Sequence, residues 1–247
     1  MARSVIIFFI MFLLQSVHTF AQEHGVKCRY LASHNITEDV LKMDDENIKK
    51  ILIEKFSTDK KTYSLYFSRG KYLFTLEKEE NVDNLNVIGV GGSVFIDVNA
   101  DSIISQEAII DKTFLIKDKI DKQNWQITGE TRQIFKKNCV KAIYKSDIGD
   151  ITAWFTTEIP FGFGPAGYLG LPGLIIELVT PTYTYTLTEM SYLAEDMDLM
   201  PPTNGKVTNR AEFKKIKAEK GKQLGRDSNK KITIIEITAV PFRNHRA

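Results

Sequence analysis

Covalent catalysis needs an activated serine, cysteine or threonine beside a base, and the bases of this chain are badly placed for it. Four histidines occur: His18, His24 and His34 near one end and His245 near the other, so the central region has none. No Gly-x-Ser-x-Gly turn is present. Paired carboxylates are the remaining hydrolytic option, and Glu158 and Glu177 flank a loop across which they could face each other. No two histidines sit at helical spacing, so no zinc-type ligand set is written in the chain. Met190, Met197 and Met200 fall in one stretch, where methionines either bind copper(I) or fill gaps at a packed edge. Gly89, Gly91 and Gly92 lack the lysine and the hydroxyl residue of a phosphate-binding loop, which leaves a bend before a strand. The reading therefore assigns no catalytic residue, no metal ligand and no cofactor.

The remaining reactive side chains are Cys28 and Cys139. Residues 1–21 read as a secretory signal peptide: Arg3, an apolar run from Val5 to Val17, and a small-x-small ending at Thr19-Phe20-Ala21. A chain sent to an oxidising compartment can join Cys28 to Cys139 in a disulfide, the alternative being two buried thiols. The apolar run is interrupted by Gln15 and His18 and is shorter than the roughly 20 residues a membrane span needs. The expectation is an exported protein that is periplasmic, outer-membrane-associated or secreted, with no transmembrane segment after cleavage.

Residues 22–247 read as one mostly-β domain, since no repeat or polar linker divides them. Lys and Arg number 33 against 31 Asp and Glu, so overall charge is uninformative, and no nucleic-acid partner is expected. Val26–Leu31 alternates as a first strand, and Asn35-Ile36-Thr37 matches a glycosylation sequon. Asp44–Phe56 spaces Ile48, Ile51, Leu52 and Phe56 along one side of a helix, with a strand over Lys50–Glu54 as the rival. Thr62–Ser68 and Tyr72–Leu76 form a hairpin turned at Arg69-Gly70, and the charged stretch Glu77–Asn86 reads as exposed. Further strands are expected over Ser93–Val98, Thr113–Ile120, Trp125–Ile134, Cys139–Lys145, Ile151–Ile159, Leu174–Thr180, Tyr183–Met190 and Lys231–Val240. In Ile151–Ile159 both faces are apolar, because Trp154 points away from Ile151, Ala153 and Phe155, so this strand must be covered twice. Asn209 and Glu212 form a capping pair for a lysine-rich helix striped by Phe213, Ile216 and Leu224. Residues 210–231 carry nine basic and three acidic side chains, a surface that could touch an anionic partner or lie solvated.

Glu158–Glu177, EIPFGFGPAGYLGLPGLIIE, has the composition of a linker in its glycines and prolines but not in its other residues. Phe161, Phe163, Tyr168, Leu169 and Leu171 would gain nothing in water, so the loop must pack. Pro172 fixes one backbone angle, while Gly170 and Gly173 reach conformations closed to other residues. Gly170–Ile175 spells GLPGLI, and the chain resembles the GLPGLI family of secreted bacterial proteins, which has no settled role. The resemblance extends to Trp125, Cys139-Val140-Lys141-Ala142, Trp154, Ile159-Pro160 and Gly164-Pro165, in that order. It implies export but carries no catalytic residues.

The fold class expected is α+β, mostly β: one strongly curved antiparallel sheet with helical cover, a half-barrel similar to the lipoprotein carriers of the periplasm. By that analogy the protein is a non-enzymatic binder of a hydrophobic ligand, a lipid or an apolar peptide, held between the sheet and loop 160–173. Trp125, Trp154, Phe161, Phe163, Tyr168, Leu169, Leu171 and Pro172 would line or lid that site, or simply fill the core. The alternatives are an accessory subunit of an outer-membrane transport or secretion system, binding an envelope protein through a sheet edge, and a hydrolase using carboxylates.

Overall fold

The computed structural model describes residues 25–80, 92–109 and 112–227. The leader expected over 1–21, His24, His245, most of the glycine run at 89–92 and the strand expected over Lys231–Val240 lie outside the described residues.

Twelve strands among the described residues join in one open sheet. They are β1 (Val26–His34), β2 (Lys60–Ser68), β3 (Lys71–Glu80), β4 (Val94–Asp97), β5 (Ser102–Ile109), β6 (Lys112–Lys119), β7 (Gln126–Ile134), β8 (Lys137–Ser146), β9 (Gly149–Thr156), β10 (Leu174–Val179), β11 (Tyr183–Tyr192) and β12 (Lys206–Thr208). Their order is β12-β6-β5-β4-β3-β2-β1-β11-β10-β9-β8-β7. Every pairing is antiparallel except that of β12 with β6. Helices α1 (Glu38–Leu41) and α2 (Glu46–Thr58) follow β1, and α3 (Arg210–Asp227) follows β12.

Local chemistry explains the hairpins. Arg69 and Gly70 both take positive φ, 53° and 75°, so the β2–β3 connection has the two-residue geometry whose twist matches that of the strands. Phe135 and Lys136, at φ 51° and 56°, turn β7 into β8 in the same way. Alternation then sorts side chains to two faces. One core gathers Cys28, Tyr30, Leu65, Tyr72, Phe74, Ile96, Ile103, Cys139, Leu174 and Ile176. The other gathers Ala142, Ile151, Ala153, Phe155, Ile175 and Leu178. Strands β9 and β10 contribute to both, so the double covering expected for the Trp154 strand is present.

Several expectations need correction. Cys28 and Cys139 are free and fully buried. They lie on β1 and β8, four strand intervals or ~19 Å apart along the sheet, whereas bonded cysteines need Cα atoms within about 7 Å. The stretch from Glu77 is not simply exposed, because β3 continues to Glu80 and Glu77 accepts hydrogen bonds from Arg29 and Ser64. Residues 81–91 lie outside the described residues. Helix α2 forms, capped by Asp45 on the N–H groups of Asn47 and Ile48, but only Phe56 is buried. Ile48 and Ile51 are 38% and 63% exposed because only the last turn of α2 is pressed onto the sheet. Helical cover is thus thin. Helix α3 begins as expected, with Asn209 Oδ1 accepting the N–H of Glu212 at 2.9 Å, but the Glu212 carboxylate turns to Thr208. Phe213 anchors that helix on Phe114, ring centres 5.4 Å apart, and Arg210 is buried in an ion pair with Glu107. Met197 and Met200 are 38% and 64% exposed and fill no gap, while Met190 packs on the larger core. Asn35 is tied to Thr180 and Thr184 through its side-chain amide, so the sequon nitrogen is already engaged.

Candidate functional site

The residues singled out in the sequence converge on the segment between β9 and β10. This loop has no regular structure apart from a short turn at Pro165–Gly167 and one bridge between Phe163 and Leu169, yet about half of its residues are buried. Its backbone folds back on itself: Gly164 N–H donates to Tyr168 O at 2.8 Å and Gly170 N–H to Gly162 O at 3.2 Å. It also joins the strand it leads into, with Leu174 N–H donating to Ile159 O at 3.0 Å and Ile175 N–H to Phe163 O at 3.1 Å.

Side chains from distant parts of the chain bond several of the remaining backbone groups. The Tyr72 hydroxyl, on β3, donates to Gly164 O at 2.7 Å and accepts the N–H of Gly167 at 3.1 Å. Gln123 Oε1 accepts Leu169 N–H at 2.8 Å, and Trp125 Nε1–H donates to Leu169 O at 3.0 Å. Tyr30, on β1, donates to Ile175 O at 2.6 Å. A buried backbone group left unpaired costs about as much as a lost hydrogen bond, so the Tyr72, Gln123 and Trp125 contacts fix the loop as well as positioning it, and that of Tyr30 fixes the start of β10. Burial holds the phenols of Tyr30, Tyr72 and Tyr168 well above the usual tyrosine range, which keeps all three neutral.

The loop's apolar residues divide between the two cores. Tyr168 and Leu171 enter the smaller one, where Trp125 lies 6.2 Å from the Tyr168 ring and 5.8 Å from Tyr144. Ile159 and Leu169 enter the larger one. Phe161 and Phe163 are half-buried against Phe67, at 5.3 and 4.7 Å. Two glycines show why the motif has its form. A side chain at Gly173 would place its Cβ 2.0 Å from Thr156 O, and Gly170 holds φ at +97°. Pro172 is exposed. Trp154 is on the opposite face from Trp125, beneath the Arg132 guanidinium at 4.1 Å.

The carboxylates at the two ends of the loop are occupied. Glu158 accepts from Asn138 N–H and Lys137 Nζ, both at 3.0 Å, and these contacts hold its carboxyl below the ordinary value. That shift is opposite to the one a general acid needs at neutral pH. Glu177 is paired with Arg132. Among the described residues no group of three His, Cys, Asp or Glu is placed to hold a metal ion, and no helix is long and apolar enough to cross a membrane.

Tyr30, Tyr72 and Gln123 were invisible as site residues in the sequence. Each reads as an ordinary strand or connection residue, and nothing local shows that its polar atom meets the loop, or the strand that follows it, 46 to 145 positions away.

Comparison with known proteins adds a family match at this place. The model of a family described as "Protein of unknown function (Porph_ging)" matches residues 146–177. The matched segment contains β9, Trp154 and the GLPGLI loop, and stops short of Trp125 and Cys139. No curated protein matches the chain. Two solved structures of PNGF-II, in space groups C2 and P21, are similar to it at 16% identity and a TM-score of 0.49. They cover 78% of this chain, which spans only 32% and 33% of theirs.

Proposed function

We propose that the protein is an exported, non-enzymatic binding protein that takes up an extended segment of an envelope protein along the free edge of β7. Export rests on the leader-like residues 1–21, and the mature chain would act in the periplasm, at the outer membrane or outside the cell. The observation that carries the binding mode is that β7 lies at the end of the sheet and, among the described residues, pairs only with β8.

Hairpin geometry identifies the groups on offer. Ile134 and Lys137 close a two-residue turn and form a hydrogen-bonded pair, so bonding alternates to Arg132–Cys139. The backbone N–H and C=O of Thr131 and Gln133 therefore point away from β8, as an added strand requires. Most β7 side chains are exposed on both faces, so little packing competes with a newcomer. The bulge between Ile127 and Thr131 limits the docking length and guards against indiscriminate pairing.

The pinned loop supports this reading because it is part of the framework rather than a lid. A single core linking Ile103 on β5 to Cys139 on β8 is consistent with a sheet bent toward that face, the half-barrel form proposed by analogy with lipoprotein carriers. One observation favours the second reading, a hydrophobic ligand: Phe67, Phe161 and Phe163 form a half-buried aromatic shelf on that same face.

Photo-crosslinking in intact cells, from position 133 for Thr131→Pro and from position 131 for Gln133→Pro, followed by mass spectrometry, tests the first reading. Thr131→Pro and Gln133→Pro remove an outward N–H without touching a β7–β8 bond, so both should fold and lose the cross-linked partner. Cross-linking that survives both prolines refutes edge pairing. Lipid co-purifying with the wild type and lost in Phe163→Ala would instead establish the second reading.

A further inference from the structure

The end of β1 carries a group of titratable side chains that the binding edge does not use. His34 is 7% exposed and is held between two rings, stacked on Phe56 of α2 at 3.8 Å and edge-on to Tyr183 of β11 at 4.7 Å. Its Nδ1 is 2.9 Å from the carbonyl oxygen of Asn35, so Nδ1 carries the proton of the neutral ring and Nε2 carries the lone pair. Nε2 is buried and has no hydrogen-bond partner among the described residues.

The charged and titratable groups facing the ring come from each element around it. Asp59, at the corner between α2 and β2, is engaged on one oxygen by the Tyr183 hydroxyl at 2.9 Å and approached on the other by Lys61 at 3.9 Å. Lys61, on β2, is 8% exposed and opposes any positive charge on the imidazole. With Asp59 already occupied, a proton arriving at Nε2 would find no acceptor, and the ion would be buried without a partner. Burial correspondingly holds the His34 pKa below its ordinary 6.5, with Lys61 acting in the same direction and the Asn35 carbonyl and Asp59 opposing.

What the ring holds in place is the helical pair. Phe56 is the sole fully buried side chain of α2, and Val40 that of α1. The backbone adds His34 N–H to Asp59 O, a long bond at 3.4 Å. Ile48, Ile51 and Leu41 are exposed and Leu52 and Ile53 only half-buried, so the pair is fastened at few points, the His34–Phe56 stack among them.

We propose that this junction is a pH-operated latch: protonation of His34 at Nε2 expels the ring from between Phe56 and Tyr183 and releases α1–α2 from the sheet. The sign follows from linkage. A histidine kept neutral by the fold contributes stability that is complete above the unfolded-state value of 6.5 and declines as pH falls through that value toward the folded one. The released pair would present Phe56 together with Ile48, Ile51 and Leu41 as an apolar surface that the closed form only partly shows.

Amide hydrogen exchange of the full chain at about pH 7.5 and about pH 5, corrected for intrinsic rates, reads the latch directly. Protection of residues 46–58 should fall by up to about tenfold per pH unit below the ordinary histidine value, while that of β10 and β11 holds. His34→Phe keeps the stack but cannot titrate, so its protection over 46–58 should not change with pH. Nitrogen-15 shifts of His34 in the wild type give a second reading that needs no variant: an Nδ1–H tautomer titrating below 6.5 is expected. Unchanged protection between the two conditions, equal loss in His34→Phe, or a His34 titrating at or above its ordinary value would each overturn the proposal.

Discussion

Replacing Tyr72 with phenylalanine isolates the polar half of the fastening between loop and sheet. Tyr72 is fully buried, and its hydroxyl serves Gly164 O and Gly167 N–H, which are themselves buried. Phenylalanine preserves the ring and its contact with Phe163 at 5.7 Å while leaving one carbonyl and one N–H without a partner. Each orphaned group costs about 1–3 kcal/mol, and the tight turn at Pro165–Gly167 has limited freedom to shift, so a total near 3 kcal/mol is expected. For a chain of this size that corresponds to a fall in Tm of roughly 6–12 °C. Urea unfolding should show a lower midpoint with an unchanged slope, because the surface exposed on unfolding is the same. Tyr66→Phe is the control: Tyr66 is half-buried on β2 beneath the Lys27 ammonium at 5.3 Å, and its change should stay within about 0.5 kcal/mol. A Tyr72→Phe protein indistinguishable from that control would refute the view that buried hydrogen bonds, rather than apolar packing alone, hold the loop.

Gly173→Ala should be the most damaging small change in the loop, since its Cβ would meet Thr156 O at 2.0 Å; loss of at least about 3 kcal/mol or insoluble expression is expected, and a normal melting curve would contradict the packing. Leu171→Ala, at a site 4% exposed, should cost about 2–5 kcal/mol by chemical denaturation, whereas Pro172→Ala, exposed next to it, should cost far less. Stability should fall as pH rises above the unfolded tyrosine value of 10, because Tyr30, Tyr72 and Tyr168 are held neutral in the fold and ionise only on unfolding; urea midpoints flat across that range would argue against it. Thiol titration should detect neither cysteine in the native protein and both after denaturation, with Cys28 the less reactive since burial pushes its thiol up to about 12; a reducing agent should leave the midpoint unmoved.

Much of the sheet was legible in the chain because alternation is a local property. Tyr63, Leu65, Tyr72 and Phe74 declare their shared face within a few residues, and Arg69-Gly70 declares the turn between them. Strand β5 was missed: its buried positions Ile103, Ser105, Glu107 and Ile109 include two polar residues, so the apolar pattern breaks although the strand does not. Glu107 is buried because Arg210, over a hundred positions away, meets it there. Strand β12, three residues long, carries too little pattern to be read at all.

The sequence by itself determined that the segment after β9 had to pack, since aromatic and aliphatic side chains among glycines have no stable place in water. It also determined that the Trp154 strand needed cover on both sides. Only the tertiary structure decided how the loop is fastened and what is left free. Hydrogen bonds from Tyr30, Tyr72, Gln123 and Trp125 depend on which strands lie side by side, and strand order is a sum of long-range choices that no short window contains. The same ordering separated Cys28 from Cys139 by four strand intervals and put β7 at an edge with its outer hydrogen-bonding groups free of any described strand.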